Sequence, residues 1–136
     1  MSSLILRAAA RVLMPLLLVF AAFLLGRGHN EPGGGFVAGL VVAVAFVLRM
    51  LAEGTAAART ALLVHPTKLI ATGLLLALAS GFVPLALGRP FLTACWIEVG
   101  PPEWELLIGT PLSFDVGVCL VVIGVVLTMT FDLAED

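Results

Sequence analysis

Leu69-Ile70-Ala71-Thr72-Gly73-Leu74-Leu75-Leu76-Ala77-Leu78-Ala79-Ser80-Gly81-Phe82-Val83-Pro84-Leu85-Ala86-Leu87-Gly88 runs for twenty residues without a charged side chain. A bilayer core about 30 Å thick is crossed by a helix of about 20 mostly apolar residues. The apolar positions here are continuous instead of alternating, which points to a helix and not to a barrel strand. Working outward, comparable runs cover 4–25, 36–51 and 111–131, with the quoted run overlapping the span 66–87. The expected fold is an all-α integral membrane protein with four transmembrane helices, forming one membrane domain over 1–136.

The composition agrees with that class and excludes others. The chain is 61% hydrophobic and 12% charged, with a mean hydropathy of +1.18. Soluble domains carry roughly 45–50% apolar and about 25% charged residues. An ordinary soluble enzyme, a disordered chain and a nucleic-acid binder are therefore excluded. Seven basic residues face nine acidic ones, a net charge of −2, so there is no basic surface for nucleic acid. Cys95 and Cys119 form no CxxC or Cys/His cluster, so neither a disulfide framework nor a metal site is expected.

Arg7 and Arg11 before an apolar run resemble a secretion signal, but the run ends in Gly26-Arg27-Gly28-His29 without a small-residue cleavage site. The first span is read as a retained signal anchor. Alternating loops place the N-terminal segment, residues 52–65 and the C-terminal tail on one side. That side holds Arg7, Arg11, Arg49, Arg59 and Lys68, five of the seven basic residues, and the other side holds Arg27 and Arg89. The positive-inside rule then puts both termini in the cytoplasm, and the acidic tail has little weight in that choice. Fifteen residues separate Arg11 from Arg27, a reach of only about 22 Å as helix. Snorkelling of Arg11 and Arg49, or burial against other subunits, would relieve the shortage.

Gly73, Ala77 and Gly81 recur at four-residue spacing, a stripe that lets another helix approach closely in a four-helix bundle. Gly117 and Gly124 lie seven apart on one face of the fourth span. The two halves share no interrupted-helix repeat of the kind seen in stand-alone transporters.

Between the first two spans lies Gly26-Arg27-Gly28-His29-Asn30-Glu31-Pro32-Gly33-Gly34-Gly35-Phe36. Gly26 or Gly28 can end the first helix in a left-handed cap, and Gly33, Gly34 and Gly35 permit positive φ. Two readings stand. The segment is a tight hairpin with His29 and Glu31 in solvent, or it is irregular backbone buried among protein where His29 and Glu31 touch an aqueous ion path.

Gly28, His29, Pro32, Gly33, Gly34, Gly35 and Phe36 resemble the GHxxPGGGF signature of the small B-type subunits of Mrp-type multisubunit sodium/proton antiporters. Gly88-Arg89-Pro90-Phe91-Leu92-Thr93, and Gly109 through Val118 with its Phe114-Asp115-Val116-Gly117-Val118 core, are similar to that family as well. Where the family often has tyrosine next, this chain has Cys119. The resemblance implies a small non-catalytic subunit, without a cofactor of its own, in the bacterial inner (plasma) membrane. Its partners would be large complex-I-like subunits and other small membrane subunits, with Na+ and H+ moved by the whole complex. Related subunits also occur in membrane-bound hydrogenases, so an ion module or membrane anchor of a redox complex is one alternative. A self-contained homo-oligomeric cation channel is another.

Ionisable groups at membrane depth are functional candidates by default. Lys68 follows Pro66 in the first turn of the third span, where its stem can snorkel as an interfacial anchor. Asp115 opens the fourth span on the other side, where a Thr110 or Ser113 cap and the helix dipole could explain it locally. The alternative for Asp115 is a bond to the glycine-rich segment. With Glu31, Glu98, Glu103 and Glu105 it makes the outer face acidic, which would concentrate cations there. Glu31, Asp115 and Lys68 are thus the candidates for an ion-path or charge role. Trp96 and Trp104 fit an interfacial aromatic belt.

Overall fold

The computed structural model describes residues 4–27, 34–86, 88, 96–98 and 107–135. Helix α1 covers Leu4–Arg27, α2 Gly34–Glu53, α3 Thr55–Leu62, α4 Pro66–Ala86 and α5 Thr110–Glu135. Strands β1 (Trp96–Glu98) and β2 (Leu107–Gly109) form a short antiparallel ribbon with Trp96 opposite Gly109 and Glu98 opposite Leu107. Among the described residues the regular structure is helical apart from this ribbon, and four helical segments are long and apolar enough to cross a membrane.

The spanning helices stand in a row, α1–α2–α5–α4, in place of the expected bundle. The fourth spanning helix in the chain therefore slots between the second and the third. Burial follows this order. Of the apolar windows, 39% in α2 and 33% in α5 are buried, against 11% in each of the other two. Lipid is as apolar as leucine, so close packing of small residues, not removal from water, draws such helices together. Ala38, Ala43 and Ala45 on α2 are accordingly buried, as are Ile123, Leu127 and Phe131 on α5.

Because α5 separates α2 from α4, the link between those two must cross beneath the end of α5, and α3 makes that crossing. It begins at Gly54, whose φ of +99° suits glycine, and ends at Leu63 with φ +71°, whose N–H donates to the Arg59 carbonyl at 3.3 Å. At the start of α4, the Thr67 N–H donates to His65 Nδ1 at 3.3 Å, and Pro66 occupies the first helical position, where its missing N–H is harmless.

Two local expectations are corrected. Helix α1 continues through Gly26 to Arg27, so Gly26 is no cap; nothing lies within 4 Å of a side chain there to force a turn. Helix α2 begins at Gly34, so Gly34 and Gly35 are helical instead of lying in an irregular loop. The left-handed glycines among the described residues are Gly54 and Gly88.

Candidate functional site

The packing seam along α5 is built from glycines. A Cβ on Gly73 would lie 2.5 Å from the Gly117 carbonyl oxygen, and one on Gly117 would lie 2.7 Å from the Gly73 carbonyl and 2.8 Å from the Ala77 nitrogen. Further along, Gly124 faces the Pro66 carbonyl at 2.7 Å and Ile70. The structure thus places Gly73 and Ala77 of the expected stripe against α5, and Gly81 is buried on the same helix. On the opposite flank of α5, Gly35 rests on the backbone of Asp115, and Gly39 on the Cys119 carbonyl and Val122. Gly35 and Gly39 make a second small-residue stripe; Gly39 lies within the expected span 36–51, whereas Gly35 belongs to the glycine run that reads as a connection in the sequence.

Asp115 is half-buried at the end of α5 opposite the termini, beside the start of α2. Helix α5 starts at Thr110 and has no acidic residue in its first turn. Asp115 therefore lies past the first turn, where the dipole effect fades, and Ser113 is inside the helix. Gly34 and Phe36 lie at this same end, with Phe36 exposed. Gly28, His29, Glu31, Pro32 and Gly33 lie outside the described residues, as do Glu103, Glu105 and Trp104.

Lys68 sits exposed in the first turn of α4, its N–H bonded to the His65 carbonyl at 2.9 Å. It lies at the end of the row that carries both chain termini, a helix length away from Asp115.

That end also holds two ion-pair groups that sequence reasoning missed. Glu53 closes α2, where the negative end of the helix dipole disfavours a carboxylate. Two guanidinium groups offset this, Arg49 at 2.6 Å and Arg11 of α1 at 3.7 Å. The Glu53 side chain is 19% exposed and that of Arg11 71%. The Arg49/Glu53 four-residue spacing, and the lack of any other acid between Glu31 and Glu98, were the available signals. The second group is a clamp on the end of α5. Arg59 of α3 forks onto Glu135, with Nε donating at 2.9 Å and an Nη at 2.7 Å, and reaches Asp132 at 3.5 Å. Its guanidinium carbon lies 5.0 Å from the centroid of the fully buried Phe131 ring. The hydrogen bonds from Arg59 hold the Glu135 carboxyl below the usual carboxylate range, and those to Glu135 raise Arg59 further.

Among the described residues no group of histidine, cysteine and carboxylate side chains could hold a metal ion. What the geometry offers is a close-packed slab of four helices with exposed apolar flanks and ion pairs at the end where α2 and α5 finish.

Comparison with known proteins agrees with that picture. The family described as "Domain related to MnhB subunit of Na+/H+ antiporter" matches residues 5–128. The chain is 41% identical over 135 residues to the B-type Na(+)/H(+) antiporter subunit of Alkalihalophilus pseudofirmus, covering 97% of this chain and 92% of that one. It is 36% identical over 138 residues to the protein of the same name from Bacillus subtilis, covering 99% and 95%. Among solved structures, the Mrp complex from Dietzia sp. DQ12-45-1b contains a similar fold, with a TM-score of 0.81 and 32% identity. The match covers 96% of this chain and 14% of that longer one.

Proposed function

The chain belongs to the family of domains related to the MnhB subunit of Na+/H+ antiporters, and from that premise we infer how its four-helix row serves the complex. It is a small, non-catalytic, multi-pass membrane subunit of a bacterial multisubunit antiporter, and its partners are the other antiporter subunits. The whole-length similarity to B-type antiporter subunits carries this conclusion. It favours the antiporter over a redox anchor or a self-contained channel.

The finer assignments are ours. We propose that the end carrying the termini, with Arg7, Arg11, Arg49, Arg59 and Lys68, faces the cytoplasm, by the positive-inside rule. The opposite end, where Gly35 meets Asp115, then faces outward beside the glycine-rich segment. There Glu31 and Asp115 act by drawing cations to the outer mouth of the complex, and Pro32 with the glycine run shapes the backbone around them. Lys68 serves as an interfacial anchor at the cytoplasmic side. The seam of Gly73, Ala77 and Gly81 against α5 keeps the slab rigid, a support for assembly.

Proteoliposome flux tests both levels. The complete complex should exchange Na+ for H+, and this chain alone should show no Na+-dependent proton flux. Robust flux from the single chain would overturn its assignment as a dependent part of a larger antiporter. Within the complex, Glu31→Gln and Asp115→Asn should raise the Na+ concentration for half-maximal rate while assembly persists. Unchanged kinetics in both variants would remove the outer carboxylates from the cation path.

A further inference from the structure

Near the start of α1, Leu4, Arg7, Ala8 and Arg11 line an open cavity of about 360 Å³. Residues 4, 7, 8 and 11 share one face of a helix, so the two guanidinium groups lie one turn apart. Both side chains are exposed. The charge there is not cancelled. Arg49 takes Glu53 at 2.6 Å, leaving Arg11 only a long 3.7 Å approach to the same carboxylate. Among the described residues Arg7 has no ion-pair partner. Three arginines against one glutamate leave a local charge of +2. Beyond this site, about a quarter-turn round α1, the exposed apolar side chains of Val12, Leu16, Val19 and Phe23 form a stripe along the helix. The rise from Arg7 to Arg11 is about 6 Å, comparable with the headgroup layer, which is roughly 5–7 Å deep per leaflet.

We propose that Arg7 and Arg11 bind the phosphate of a net-anionic phospholipid, such as phosphatidylglycerol, whose acyl chains lie along the apolar flank of α1. Each part of the site meets one part of such a lipid. The paired guanidinium groups accept a phosphate diester in their fork geometry, and the Leu4 and Ala8 side chains cover its glycerol. A zwitterionic lipid carries its own ammonium group next to the phosphate, which would be repelled by the +2 site, so headgroup charge sets the selectivity. Inorganic phosphate shares the recognised group but has no acyl chain for the Val12–Phe23 flank. The proposal rests on α1 spanning the bilayer. It does not depend on whether Glu31 or Asp115 touches the cation path.

The test uses the assembled complex in detergent, with native mass spectrometry reading bound lipid after addition of phosphatidylglycerol or phosphatidylcholine. The wild type should retain phosphatidylglycerol in preference. The Arg7→Gln/Arg11→Gln double variant should lose affinity for it by about thirtyfold, since each basic side chain at a membrane surface contributes roughly fivefold. Arg7→Lys/Arg11→Lys should recover most of the binding, which a folding defect would not allow. A photoreactive side chain at position 8 (Ala8→p-benzoylphenylalanine) distinguishes the occupants in native membranes. Crosslinking to phospholipid supports the site, whereas crosslinking to another subunit means that a protein covers this flank and overturns it. Equal retention of both lipids, or displacement of phosphatidylglycerol by millimolar inorganic phosphate, also overturns the lipid assignment. Failure here leaves the flux results intact, so the two readings fail separately.

Discussion

Leu63 holds φ +71° at the end of α3 with its side chain 87% exposed. A left-handed conformation costs a leucine about 1–2 kcal/mol, and this side chain recovers none of it through packing within the chain. Glycine removes the strain but adds freedom to the unfolded chain, worth roughly 0.5–1 kcal/mol. Leu63→Gly should therefore be neutral or stabilising by up to about 1 kcal/mol in detergent melts, and Leu63→Val should be destabilising. A clear loss for Leu63→Gly would mean that the leucine engages something outside this chain. Four residues earlier, Arg59 sets a pH dependence. Its hydrogen bonds lower the Glu135 pKa in the folded state, so the clamp adds stability above the usual carboxylate range. That contribution is lost as the pH falls through the lowered folded value, when the carboxyl takes a proton. The difference in melting temperature between wild type and Arg59→Gln should thus be largest near neutral pH and shrink in acid. Comparing these two proteins cancels whatever pH dependence both share. A difference that stays constant into acid would show that Arg59 acts through Phe131 alone.

At the scale of helices, the α4/α5 contact depends on the absence of two side chains. Adding a Cβ at Gly117 brings it to 2.7 Å from the Gly73 carbonyl and 2.8 Å from the Ala77 nitrogen, both backbone atoms that cannot rotate away. Gly117→Ala should destabilise the chain by about 1–3 kcal/mol, and Gly117→Val by more. Gly26, within α1 with nothing inside 4 Å, is the matched control: Gly26→Ala should be neutral or stabilising by up to about 1 kcal/mol. Equal melting temperatures for the Gly117 and Gly26 variants would refute the seam. The elements themselves are largely legible in the sequence. Continuous apolar runs mark all four spans, because crossing a bilayer demands length and hydropathy that few other structures share. Neighbour order is not legible: nothing in hydropathy says that α5 enters between α2 and α4. The strap α3 is hidden because eight residues with Arg59 in their last turn read as a charged loop. Gly34 and Gly35 mislead in another way. Glycine signals either a left-handed turn or a close approach, and Gly35 is the second, against Asp115. Of the two partners of Glu53, the four-residue spacing to Arg49 is legible, and the approach of Arg11 from another helix is not.

For the whole molecule, the structure brings the start of α1 and the end of α5 to one end of the slab, and the proposed cytoplasmic facing of that end rests on charge. Arg11 meets Glu53, and Arg59 meets Glu135, so the start of α1, the end of α2, the strap α3 and the end of α5 are together. Arg7, Arg11, Arg49, Arg59 and Lys68 all collect at this end, and Arg27 closes α1 at the other. Short basic segments resist translocation, whereas the acids Asp132, Glu135 and Asp136 weigh little in that decision. The clamp adds a folding argument in the same direction. Arg59 and Glu135 come from segments 76 residues apart and can pair only if both remain on one side as the helices insert. In a background lacking Cys95 and Cys119, Thr60→Cys on the exposed part of α3 should react with a membrane-impermeant thiol reagent only after the cells are opened. Phe36→Cys, exposed at the start of α2, should react from outside intact cells. If Thr60→Cys is labelled in intact cells while Phe36→Cys is protected, the slab is inverted, and the outer carboxylates Glu31 and Asp115 would then face the cytoplasm.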